Sequence, residues 1–431
     1  MTARVFASQG FRPLEIIVTT SALHRLSDNA AVTPQRARFI EDRVDAYYRD
    51  RAVNPETGSH PLKGRMPAEG DILVTSNDYL SLARHPEIVE AQLQVLREMG
   101  HGEPRSGVFA FGDAPLRVLE RQIAAAMQSE DALVAQSGWC ANTGLLQAIA
   151  DASTPIYIDM FAHMSLWEGV RSAGAVARPF RHNNPEALRK LAAKHGPGVV
   201  VVDSLYSTNG DLCPLREMVD AASESGSVII VDESHSLGVY GAHGEGMVAE
   251  QGLLDRVHFR TSSLSKAFAS RGGVVLCSAR HAEYLRYQSL PAIFSSSMLP
   301  HEIAGLGATV KVIQREGFRR EKVMRNAREL RARLRGMGYD VGVDDTQIIA
   351  LVAGPEHLTI QLRDALESRG VFGSVFCDPA TPRNRSLVRL TLNADMGRDA
   401  VERIAEVCEQ IRPELALDQW PCARRAERLA A

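Results

Sequence analysis

The chain has 431 residues, is 45% hydrophobic and 23% charged, and carries a formal net charge of −3; this allows a large core with a smaller second domain and gives no general nucleic-acid surface. Its six cysteines (Cys140, Cys213, Cys277, Cys377, Cys408, Cys422) form no CxxC pair, which argues against zinc and against a dense disulfide framework, and points to a reducing compartment. No apolar run is long enough to span a bilayer, and the Leu14–Val18 patch is too short for a signal-peptide core, so the expected location is the cytoplasm, with no membrane span, no metal and no nucleic-acid partner.

Residues 1–32 show no clear periodicity. Thr33-Pro34 is a helix start, with a capping hydroxyl and a proline in the first turn. Phe39, Ile40, Val44, Tyr47 and Tyr48 then recur at helical spacing. Residues 52–70 are rich in Pro and Gly and read as a loop. Ile72-Leu73-Val74 is a short strand leading into Ser76-Asn77-Asp78-Tyr79-Leu80. Asp131–Ala135 is a strand, Gln136-Ser137-Gly138-Trp139 a turn, and Cys140–Ile149 a helix. A strand, a turn of small residues and a helix bring free backbone N–H groups and the positive helix end together, which suits a phosphate.

Pro155–Asp159 is the next strand, followed by a loop carrying His163. Gly198–Val202 is another, with Ser207 in the loop after it. Gly272–Cys277 returns as a strand. A long helical stretch over 300–337 leads to a C-terminal region with strands near 348–352 and 387–392 and a helix over 356–369. The final ARRAERLAA reads as a frayed charged tail.

The stretch Ser227–Lys266 organises the chain. Val228-Ile229-Ile230-Val231 ends in Asp232-Glu233-Ser234-His235, and Val257-His258-Phe259 leads into Thr261-Ser262-Ser263-Leu264-Ser265-Lys266. Both runs read as buried strands of a parallel sheet. Ligands of open α/β sheets sit beyond the carboxyl ends of the strands, so Asp232, His235 and Lys266 are expected in one crevice. A lysine and a carboxylate on neighbouring strand ends suit pyridoxal 5'-phosphate: the lysine holds its aldehyde carbon and the acid keeps its ring nitrogen protonated. The serines and threonine before Lys266 offer donors for the phosphate.

VDESHSLG followed by TSSLSKAF resembles the α-oxoamine synthase family of fold-type I pyridoxal-phosphate enzymes. SNDYLSLARHP, AQSGWCANTGLLQ, YIDMFAHMSLWEG, GPGVVVVDSLYSTNG, PAIFSSSMLP and GVFGSVFCDPAT resemble one branch of it, the quorum-sensing α-hydroxyketone autoinducer synthases. The resemblance runs from about Thr33 to about Ile411, with the motifs in order. It implies an α/β fold of the aspartate aminotransferase type: a large, mostly parallel seven-stranded sheet with helices on both faces, and a smaller α+β C-terminal domain. Residues 1–75 would form an N-terminal extension and helix, 76–310 the cofactor domain and 311–431 the small domain. The N-terminal helix would pack on a partner subunit or simply be amphipathic on its own domain. The strand at 272–277 would have antiparallel neighbours.

The resemblance also implies site roles. Lys266 would hold the cofactor, Asp232 would face its ring nitrogen, His163 would stack on the ring and His235 would bond its phenolic oxygen. Gly138, Trp139 and Ser263 would bind the phosphate. Ser207 would lie near cofactor and substrate. Ser295 and Ser296 would contribute phosphate contacts across the interface of a C2 homodimer. Asn77 would reach the substrate, and Arg389 would grip its carboxylate with the guanidinium fork. The implied reaction condenses a medium- or long-chain fatty acyl-CoA with 2-aminobutyrate or S-adenosylmethionine, with Lys266 as base at the α-carbon, giving an aminoketone or enaminone precursor of an α-hydroxyketone signal. Alternatives are another α-oxoamine synthase, of the 8-amino-7-oxononanoate or sphingoid-base type, or an aminotransferase.

Overall fold

The computed structural model describes residues 38–420. The expected helix start at Thr33-Pro34, the extension before it and the charged tail lie outside the described residues. The chain divides into two units after Asn54. In the first, Arg38–Asp50 is a helix, and the apolar side chains Phe39, Ile40, Val44, Tyr47 and Tyr48 are all exposed.

The second unit is built on a seven-stranded sheet. Its strands are β2 (Asp131–Ala135), β3 (Pro155–Asp159), β4 (Val176–Phe180), β5 (Val199–Asp203), β6 (Val228–Asp232), β7 (Phe259–Ser263) and β8 (Gly273–Cys277), in spatial order β2-β8-β7-β6-β5-β3-β4. The β7-β6-β5-β3-β4 pairs are parallel, and β8 runs antiparallel to both β2 and β7. Val199–Asp203 and Gly273–Cys277 are buried along their whole length, the pattern of strands covered by helices on both faces. Alternate residues serve different cores: Val200 and Val202 pack on one face, Val199 and Val201 on the other.

A smaller antiparallel sheet, β9 (Ile348–Gly354), β11 (Ser374–Phe376) and β12 (Ser386–Thr391), has the order β11-β12-β9. A two-stranded parallel ladder pairs β1 (Ile72–Leu73) with β10 (Val371–Phe372). The expected loop over 52–70 contains no helix or strand, and its end is tied to helix Glu356–Glu367, where Glu367 Oε2 accepts from the Arg65 amide at 2.6 Å. The sheet core and the C-terminal core meet in helix Phe318–Gly336: Val323 packs into the first, Ala327, Leu330 and Leu334 into the second.

Three local expectations are corrected, and one strand was not foreseen. The helical stretch over 300–337 is two helices, Pro300–Arg315 and Phe318–Gly336, interrupted at Glu316-Gly317, where glycine disfavours helix and Glu316 turns to pair with Arg319 at 2.8 Å. The helix after β2 starts at Gly138, not Cys140, because the Ser137 hydroxyl caps it by accepting from the Cys140 amide at 3.1 Å. Strand β7 runs further than its apolar residues: Thr261 and Ser262 lie inside it, since their backbones pair with Asp232 and with Val275 and Val274 on the flanking strands. Strand β4, at the sheet edge and containing Pro179, has none of the alternating or continuous apolar pattern that announces a strand, and was not expected.

Candidate active site

The carboxyl ends of β3, β5, β6 and β7 and the start of helix Gly138–Ile149 open on one cleft. Asp232 ends β6, Asp203 ends β5 beside it, and Lys266 follows β7 in a tight turn. Gly138, Trp139, His163, Asp232, His235, Ser263 and Lys266, all anticipated from the sequence, line this cleft.

The phosphate corner is set by close packing. A Cβ on Gly138 would lie 2.6 Å from Ser263 Cβ and 2.9 Å from Ser263 Cα, so only glycine lets the helix start approach the end of β7. The amides of Gly138 and Trp139 sit in the first turn, where no intrahelical acceptor exists. The Ser263 and Ser265 hydroxyls are 2.7 Å apart at the same corner. This arrangement supplies the donors and the positive helix end that a phosphate needs.

Burial lowers the pKa of Lys266 and outweighs the pull of Asp232 in the other direction, with Arg389 adding to the decrease. The amine is therefore easier to discharge than an ordinary lysine. Asp232 is held at both oxygens: Oδ1 accepts from the Ser234 amide at 2.8 Å, and Oδ2 from Asn142 Nδ2 at 2.7 Å. Asp203 behaves differently. Burial, then the neighbouring Asp232 charge, drive its pKa well above the carboxylate range, although it accepts from the His163 amide at 3.2 Å. His163 caps helix Met164–Ser172, lies edge-on to Trp139 with ring centres 6.4 Å apart, and has its pKa lowered by burial.

His235 is buried, and burial together with Lys266 and Arg389 pushes its pKa well below the usual value. Its Nδ1 bonds the Tyr79 hydroxyl, and Gln347 donates to its carbonyl at 2.7 Å.

Asn77 and Arg389 come together from opposite ends of the chain. Arg389 lies in β12, is 6% exposed, and donates to Asn77 Oδ1 at 3.3 Å and to the Ser207 carbonyl at 2.7 Å, with its guanidinium 4.7 Å from the Phe376 ring centre. Its Nε has no hydrogen-bond partner, and among the described residues no carboxylate lies within ion-pair distance. A buried cation held only by neutral oxygens is a strong attractor for an incoming carboxylate. Ser207 is not part of the cleft lining; it reaches the site through its carbonyl on Arg389. Ser295 and Ser296 are exposed and also lie outside this chain's own cleft, Ser295 Oγ donating to the Pro291 carbonyl at 2.6 Å.

The residues missed from the sequence are Asn142, Ser165, Asp203 and Ser234, all in the cleft lining, and Tyr79 behind His235. Asn142 follows Gly138 by four residues, one helical turn along the same face, and that spacing was the available signal.

The aminotransferase class I and II family matches residues 69–407. The chain belongs to this family. It is 42% identical over 392 residues to the CAI-1 autoinducer synthase of Vibrio campbellii, covering 90% of this chain and 99% of that protein. A putative 8-amino-7-oxononanoate synthase of Paramagnetospirillum magneticum is 33% identical, covering 83% of this chain and 92% of its own length. Among solved structures, Sphingomonas wittichii serine palmitoyltransferase superposes with a TM-score of 0.79 at 26% identity, covering 90% of this chain and 100% of that one. These relatives are α-oxoamine synthases, and this member of the family is a pyridoxal-phosphate-dependent transferase of the acyltransferase type. The cleft fits the cofactor: the close Gly138–Ser263 packing, the buried Lys266 and the doubly held Asp232 are the features its phosphate, aldehyde and ring nitrogen require. No helix among the described residues is long and apolar enough to cross a membrane.

Proposed function

We propose that the protein makes the aminoketone or enaminone precursor of an α-hydroxyketone quorum-sensing signal, from a medium- or long-chain fatty acyl-CoA and either 2-aminobutyrate or S-adenosylmethionine. The observation that carries this reading is the 42% identity to a CAI-1 autoinducer synthase across 99% of its length. The unpaired, buried Arg389 beside Asn77 supports an α-amino acid as one substrate.

Residue roles in this proposal follow from the cleft. Gly138, Trp139 and Ser263 would hold the cofactor's phosphate, Lys266 its aldehyde carbon, Asp232 its ring nitrogen and His235 its phenolic oxygen, with His163 against its ring. When bound, the cofactor supplies an electron sink for the pair left on the amino acid's α-carbon. Arg389 binds the substrate carboxylate through its fork and Asn77 orients that fork. Lys266, once free, takes the α-proton on Nζ, and burial, by lowering its pKa, makes the neutral amine easier to reach than in an ordinary lysine. The carbon so activated attacks the thioester carbonyl and CoA leaves as the thiol; loss of the carboxyl group as CO2 and protonation of that carbon give the aminoketone, and with S-adenosylmethionine elimination of the γ-sulfonium group as a thioether gives the enaminone. Ser295 and Ser296, exposed and not part of this chain's cleft lining, would serve the other site of a C2 homodimer.

The test is product identification. The purified protein is incubated with each amino donor and a series of acyl-CoAs, and the products are read by mass spectrometry. A long-chain aminoketone or enaminone is the expected product. Condensation of pimeloyl-CoA with alanine alone would instead assign the chain to the 8-amino-7-oxononanoate type.

A further inference from the structure

Asn142 is 2% exposed on the first full turn of helix Gly138–Ile149. Both hydrogens of its amide nitrogen are committed, to Asp232 Oδ2 at 2.7 Å and to Ser165 Oγ at 2.8 Å. Flipping the amide would put its carbonyl oxygen against the carboxylate, so the Asp232 charge sets the orientation. The cost is that Asn142 Oδ1 is buried without a partner. Ser165 Oγ, having accepted from Asn142, has a single proton to give, and His163 Nδ1 stands 2.7 Å away. The Ser165 backbone N–H points at the same nitrogen at 3.3 Å. The backbone N–H can only donate, so Nδ1 offers a lone pair, and the Ser165 hydroxyl, which can give or accept, turns its proton to the same nitrogen.

We infer that Asn142 and Ser165 are positioning residues that tie Asp232 to His163 and hold the His163 ring neutral, with its proton on Nε2. Protonating Nδ1 would set it against the Ser165 backbone N–H and would end the bond donated by the Ser165 hydroxyl. The other groups around His163 act in the same sense or do not reach Nδ1. Lys266 repels a second positive charge and Trp139 meets the ring edge-on, whereas Asp203 bonds the backbone amide. Asp232 is the one charge that favours an imidazolium, and Asn142 stands between it and Ser165. A neutral ring is also the form that can lie against a protonated pyridine without repulsion. The consequence for catalysis rests on the function proposed above; the hydrogen-bond assignment does not.

The test uses the full-length protein loaded with cofactor and labelled with 15N-histidine. Long-range proton–nitrogen correlations, with the His163 signals assigned by their loss in His163→Gln, should show the Nε2–H tautomer and no protonation as the pH falls through ~6.5, the ordinary histidine value. In Ser165→Ala, loss of the hydroxyl donor should raise the His163 protonation constant about tenfold, and Ser165→Thr should restore it. An Nδ1–H tautomer, or ordinary titration of His163 in the unsubstituted protein, overturns the inference even where the variants fail to fold. The tautomer needs no substrate. The expected signals without acyl transfer would retain the relay and remove the functional reading, and acyl transfer with an ordinarily titrating His163 would do the reverse.

Discussion

Raising the pH through about 9 should discharge His182 and loosen the loop that presents His163. The His182 ring stacks on Phe161 with centres 4.4 Å apart, its Nδ1 lies 2.9 Å from Asp159 Oδ1, and its Nε2 lies 3.4 Å from Asp211 Oδ2. Asp159 ends β3 and also accepts from the Phe161 amide at 2.8 Å, so this cluster fixes the chain two residues before His163. Burial opposes the charge on His182, but the hydrogen bond to Asp159 and the attraction of Asp159 and Asp211 outweigh it and raise the pKa to about 9. In the unfolded chain a histidine titrates near ~6.5, and each unit of difference is worth about 1.4 kcal/mol, so the pairing contributes about 3 kcal/mol. The folded value is the higher one. The contribution is therefore complete below ~6.5 and is lost as the pH rises through the folded value. Urea midpoints of the unsubstituted protein and His182→Gln should differ by about 3 kcal/mol more at pH ~6 than at pH ~9.5. Groups elsewhere titrate in both proteins and cancel in the comparison. An equal gap at the two pH values would show that His182 is not held charged, and the reasoning would fail.

Gly138→Ala should weaken cofactor binding by about 1–3 kcal/mol, roughly 5- to 150-fold, because the added methyl meets Ser263 at 2.6 Å; a cofactor titration followed by absorbance measures this. Glu233→Ala should destabilise the fold by about 3–5 kcal/mol, since it leaves Arg260, 3.3 Å away and equally buried, without its carboxylate; denaturant midpoints give the value. Arg389→Lys should raise KM for the amino donor about tenfold or more while leaving KM for the acyl donor within a few-fold, as the bidentate fork is lost; steady-state kinetics with each substrate varied in turn separates the two effects.

The large sheet was legible because its central strands are continuous apolar runs closed by polar residues, and the positions of Asp232, His235 and Lys266 followed from that pattern. Strand β4 was not, because an edge strand with Pro179 and half-exposed side chains carries no periodic signal. The boundary of β7 slipped because backbone pairing on both flanks, not hydrophobicity, decides that Thr261 and Ser262 belong to the strand. In the site, Gly138, Trp139, His163, Asp232, His235, Ser263 and Lys266 could be named in advance and line the cleft, whereas Ser207, Ser295 and Ser296 do not line it. Residues that act on other residues could not be named: Asn142 and Tyr79 acquire their partners only when the helix after β2 reaches β6, and when the segment after β1 reaches the end of β6. The Arg389–Asn77 contact spans 312 positions of chain, and the absence, among the described residues, of a carboxylate beside that arginine is a property of packing alone.

The central claim is that Lys266 and its neighbours drive carbon–carbon bond formation at the expense of a thioester. The most direct measurement is free-thiol release from a panel of acyl-CoAs, each offered with a panel of amino donors, for the unsubstituted protein and Lys266→Ala. The account predicts thiol release with medium or long acyl chains, dependent on an amino donor and abolished in the variant. Amino-group exchange with keto acids and no thiol from any acyl-CoA would contradict it.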